Sequence, residues 1–154
     1  MVKTLEGVLN VMNAWIWGIA NAGKQLGNLK LYFHLVESEG VKIYLKKRGL
    51  RLDPTDDPTN ACRDYVEIFD KEGLLDKDDF EIKKENDTVH IKVGGKCPYR
   101  QACTWMKESN IPIQCGRAVP FCVAIELACD KDYRHELKIF GEECEILLKP
   151  GLRV

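Results

Sequence analysis

At 154 residues, 45% of them apolar, the chain is long enough for one domain that buries about two-thirds of its unfolded surface. Its 23 Lys and Arg against 24 Asp and Glu leave a formal charge of -1, which excludes an overall electrostatic attraction to nucleic acid. No apolar run approaches the roughly 20 residues that span a bilayer, which excludes a membrane helix.

Leu5, Val8, Leu9, Met12, Trp15, Ile16 and Ile19 recur at helical spacing and predict an amphipathic helix from Val2 to about Asn21. Trp15 and Trp17 fall on different faces, so this helix is expected to be covered on more than one side, and core packing alone accounts for Trp15. Gly23 and Gly27 predict a break before Asn28. Leu29, Tyr32, Phe33, Val36, Ile43, Tyr44 and Lys47 then predict a second helix that ends before Gly49. The alternation of Leu31, Phe33 and Leu35 leaves a strand open for Leu29 to Val36. The basic run from Lys46 to Arg51 reads as a solvated helix end, where the dipole favours cations.

Asp57-Pro58 is a cap and first-turn pair, which starts a helix through Ala61, Cys62, Tyr65, Val66, Ile68 and Phe69 that stops at Gly73. From Asp79 the period becomes two: Phe80 and Ile82, then Val89, Ile91 and Val93, alternate around the turn Glu85-Asn86-Asp87 as a half-buried hairpin. A short helix follows, then a longer one from Cys115 to Cys129. Tyr133 to Ile139 and Cys144 to Leu148 form a second strand pair turning at Gly141. The expected fold is a single α+β domain over residues 1–154, with N-terminal helices packed on a four-stranded antiparallel sheet and a Cys-led helix between the two hairpins.

Six of the seven cysteines lie between Lys96 and Leu148. The odd number and the lack of a signal peptide place the chain in a reducing cytoplasm, with free or metal-bound thiols. Cys122 and Cys129 are two helical turns apart on an apolar run and read as helix-core thiols. Cys97, Cys103, Cys115 and Cys144 stand mostly at element edges beside Pro, Gly or charge, where ligands for a soft metal can converge. Their gaps of five, eleven and 28 residues include no standard zinc knuckle, so spacing alone leaves metal binding open.

In its order of elements the C-terminal half resembles the 4-vinyl-reductase-type, or hydrocarbon-binding, domain. The features that carry the resemblance are a hairpin leading into a cysteine-bearing loop, the apolar helix from Cys115-Gly116-Arg117 to Cys129-Asp130, and a last strand Cys144-Glu145-Ile146-Leu147-Leu148-Lys149-Pro150. The resemblance implies an α+β sandwich, a homodimer, and a small hydrophobic ligand held between helices and sheet. Trp15, Trp17, Phe33, Tyr99, Trp105 and Phe121 are the aromatics available to line such a pocket. It also implies a structural zinc for which Cys115 and Cys144 match the first and last ligands. The family's Glu-x-x-Cys is absent between them. His135 and Glu136 are the nearest replacements there, and Cys97 and Cys103 from the CPYRQAC loop complete a set of four thiolates that suits zinc or an iron-sulfur cluster.

The leading functional expectation is a cytoplasmic small-molecule-binding or sensing domain with a cysteine-rich zinc site. A thiol or iron-sulfur redox sensor acting through a protein partner is the second, since Lys96 beside Cys97, and Arg117 near Cys115 at a helix start, favour thiolates. A Cys-dependent hydrolase or reductase is the third. Among His34, His90 and His135, only His135 offers a base, and no oxyanion motif or nucleotide loop accompanies it.

Overall fold

A computed structural model describes residues 2–152. Helices α1 (Val2–Gln25) and α2 (Leu29–Arg48) form a hairpin whose turn contains Gly27 at φ 76°. Gly23 lets α2 approach, because a Cβ there would lie 3.1 Å from the Leu29 backbone. Residues Leu29 to Val36 are helical: the spacing of three and four that continues to Lys47 prevails over the short alternation. The helix ends at Gly49, in the left-handed region at φ 66°, with the basic run at its exposed end. Helix α3 (Pro58–Lys71) starts where the Asp57 carboxylate accepts a hydrogen bond from Thr59 N at 2.9 Å.

Strands β1 (Phe80–Glu85) and β2 (Thr88–Val93) pair around Asn86, which takes φ 53° in the tight turn. Helices α4 (Arg100–Glu108) and α5 (Ala118–Cys129) follow, then β3 (Tyr133–Ile139) and β4 (Cys144–Pro150). The antiparallel sheet has the order β1-β2-β4-β3, so the two hairpins meet through their second strands, β2 and β4, which pair Ile91 with Ile146 and Val93 with Cys144. Val89, Ile91, Val93, Ile146 and Leu148 are buried under α3 and α5, while His90, Lys92, Glu81 and Lys83 form the open face.

Helix α5 is buried on nearly every side and joins two apolar clusters. One holds α3, the sheet and Phe121; the other holds Ile16, Ala20, Phe33, Met106 and Val119 between α1, α2 and α4. Two expectations are corrected. Helix α5 starts at Ala118, not Cys115; the intervening turn is closed by Ala118 N donating to Cys115 O at 3.0 Å. Trp15 is 69% exposed, because the buried stripe of α1 runs through Asn13, Ile16, Ala20 and Gly23 and leaves Trp15 about 100° away from Ile16. Trp17 is half-buried and donates through Nε1 to Ser109 Oγ at 3.3 Å.

Candidate metal centre

The loop from β2 to α4 is held at both ends. Gly94 N donates to Asp79 O at 2.8 Å, and Lys96 N donates to the Asp79 carboxylate at 3.2 Å. A Cβ on Gly94 would overlap that carboxylate, so glycine is what lets the loop run past it into Cys97. Arg100, the first residue of α4, donates to Gly94 O at 3.0 Å and to Gly141 O in the β3–β4 turn. One guanidinium thereby ties the cysteine loop to the turn that precedes Cys144.

These constraints bring Cys97, Cys103, Cys115 and Cys144 to one small cavity of about 10 Å³, room for a single water or ion. Val93, Tyr99, Leu137 and Phe140 supply apolar wall, and Arg100 and Arg117 supply the charge. Arg117 is only 6% exposed. Its guanidinium carbon lies 5.0 Å from the Tyr99 ring centroid and 5.8 Å from that of Phe80. The Nε atoms of Arg100 and Arg117 are buried with no hydrogen-bond partner among the described residues.

Burial pushes the Cys103 thiol up to about 12, and the neighbouring Cys97 and Cys144 add to the rise. Burial also raises Cys115, with Cys103 and Cys97 contributing, and the nearby backbone of Arg117 and Ala118 opposes the rise only in part. The expected activation of Cys115 by Arg117 is therefore outweighed by desolvation. The four thiols face a common space, yet among the described residues no three His, Cys, Asp or Glu side chains are already arranged to hold a metal ion.

The remaining candidates lie elsewhere. Cys122 is fully buried and Cys129 half-buried, both in the core under the sheet. His135 and Glu136 line a different opening, beside His34, so they are not part of the cysteine cavity. Glu136 is paired with Lys149 at 2.6 Å. His90 sits on the open sheet face, 3.4 Å from Glu145 and 3.3 Å from Glu85. Of the six aromatics, Tyr99 lines the cysteine cavity; Phe33 and Phe121 are fully buried in separate clusters, and Trp105 is half-buried on α4.

Sequence reasoning missed the anchoring role of Arg100 and the burial of Arg117. Their only signal was position, one inside the CPYRQAC loop and one two residues after Cys115. No family model, no curated protein and no solved structure matches this chain. No helix among the described residues is long and apolar enough to cross a membrane.

Proposed function

We propose that the chain is a small-molecule-binding or sensing domain built around a metal centre with Cys97, Cys103, Cys115 and Cys144 as ligands. The observation that carries this reading is the pairing of four thiols with two arginines in one cavity. A guanidinium as buried as that of Arg117 needs a countercharge, and four neutral thiols offer none. A divalent ion held by four thiolates carries two net negative charges, which Arg100 and Arg117 balance.

Zinc at this position supplies a cross-link. The protein's part is to hold the β2–α4 loop, the turn before α5 and the start of β4 in register, with Arg100 spanning loop and turn. The raised Cys103 and Cys115 thiols are poor candidates for the reactive cysteine of the redox-sensor or hydrolase readings, because a reactive cysteine is one whose thiolate is already favoured. In the proposed reading the resemblance to the 4-vinyl-reductase-type domain extends to self-association. Residues 7–23 of α1 contain no charged side chain, and Val8, Val11 and Trp15 are exposed there, a surface matched by the same uncharged face of a second copy. Trp15→Lys is expected to convert a dimer to a monomer in light scattering.

Elemental analysis and an absorption spectrum of protein purified without oxygen test the centre. Stoichiometric zinc with no visible colour supports it. Brown colour with iron and sulfide assigns the same four residues to a cluster. Protein that neither contains nor takes up metal overturns the proposal.

A further inference from the structure

A second opening lies between the start of α2 and strands β3 and β4, on the far side of Leu137 from the cysteines, and has a volume of about 370 Å³. Its wall holds two imidazoles, His34 from α2 and His135 from β3, whose rings are stacked with centroids 6.2 Å apart and planes 17° from parallel. His34 is 3% exposed and Gln114, which shares the wall, 4%. The Gln114 amide donates to the carbonyls of Pro112 and Ile113 at 3.2 and 3.3 Å, which fixes the segment that closes this side of the opening.

The charges around it are unequal. Lys30, Arg134 and Lys149 line the opening against one carboxylate, Glu136, and Lys149 already holds that carboxylate. Neither Lys30 nor Arg134 enters an ion pair with another described residue. The first turn of α2 carries no acidic residue and Asn28 makes no side-chain cap, so the positive end of the helix dipole adds to the same field. Pro112, Ile113 and Leu137 provide the apolar part of the wall.

We infer that this α2–β3 opening binds a small organic anion, a carboxylate or a phosphate monoester, with its charged group between Lys30 and Arg134 and its apolar body along Ile113 and Leu137. The two imidazoles lie alongside as hydrogen-bonding groups. Burial, His34 and Lys30 hold His135 down at about 4, so it is neutral at pH 7 and offers one N–H donor. The site gives the small-molecule half of the proposed function a location, and it stands without the metal.

Benzoate and phenyl phosphate are the probes, with benzamide as the neutral control, followed by NMR of the three histidine rings. His90, on the open face of the sheet, is the internal reference. A charged probe is expected to shift the His34 and His135 signals and leave His90 still. Binding by benzoate alone defines a carboxylate site, and by phenyl phosphate alone a phosphate site. Lys30→Met with Arg134→Met, two exposed positions, should weaken binding by about tenfold or more with an unchanged unfolding temperature and unchanged metal content. Dissociation constants weaker than roughly 1 mM for both anions, equal binding of benzamide, or full affinity in the double variant would overturn the inference.

Discussion

The Asn13 side chain of α1 grips the start of α4: its oxygen accepts from Ala102 N at 2.9 Å and its amide donates to Pro98 O at 2.9 Å. Pro98 and Ala102 lie between Cys97 and Cys103, so a residue 85 positions earlier than Pro98 sets the path of the cysteine loop. Asn13 is 3% exposed, and Asn13→Ala leaves the Ala102 amide buried without its acceptor. The expected cost is about 1–3 kcal/mol in urea unfolding, together with weaker metal retention. A variant with wild-type stability and metal content would show that the loop needs no such anchor.

Single Cys→Ser changes separate ligands from core. Serine at Cys97, Cys103, Cys115 or Cys144 should each lower bound metal, while Cys122→Ser, at a fully buried position, should leave metal content intact and cost about 1–3 kcal/mol for the buried hydroxyl. Equal loss of metal at all positions, measured by elemental analysis, is the result that removes the assignment.

Arg117→Met should change sign with metal. In apo protein it removes a buried cation that no carboxylate pairs with among the described residues, and stability should hold or rise. The contacts with Tyr99 and Phe80 are lost in both states, but in metal-loaded protein the countercharge goes as well, so the gain in unfolding temperature on adding zinc should shrink. Thermal unfolding with and without zinc reads both effects. An identical zinc-induced gain in the variant argues against a charged centre in the cavity.

Two groups should tilt stability with pH in opposite directions. Burial raises Glu37 from 4.5 to about 7, so the folded state binds its proton more tightly; that contribution is fully present below 4.5 and fades as pH rises through 7. His135 is lowered from 6.5 to about 4, so its contribution is present above 6.5 and lost as pH falls through 4. Their slopes offset each other between pH 4.5 and 6.5. Glu37→Gln should expose the rising His135 slope and add about 1–2 kcal/mol at pH 8, after allowance for partial exposure. Urea titrations across pH 4 to 8 give the comparison.

The periodicity of the chain was enough to determine most of its secondary structure. The three- and four-residue spacing in α1 and α2, the Asp57-Pro58 start of α3, and the two-residue alternation around Asn86 are local signals, because caps, turns and amphipathic faces depend on near neighbours. The placement of the cysteines was legible in part: Cys122 and Cys129 sit within an apolar helical run, and Cys97, Cys115 and Cys144 stand at element edges, while Cys103 lies inside α4. The exposure of Trp15 was not, since the same helical period allows more than one face to turn inward and only the packing of α2 and α4 against α1 chooses.

What the sequence alone determined is an α+β chain with Cys97, Cys115 and Cys144 at element edges. The tertiary structure decided which of its polar groups meet. The insertion of β4 beside β2 sets Cys144 opposite Val93, at the end of the strand that leads to Cys97, and Arg100 joins the two loops there. Folding also buries Arg117 against Tyr99 and brings His34 onto His135 across about a hundred residues of chain. Such encounters depend on strand order and helix packing, which no local period encodes, and desolvation then sets the charge of each group once the contact is made.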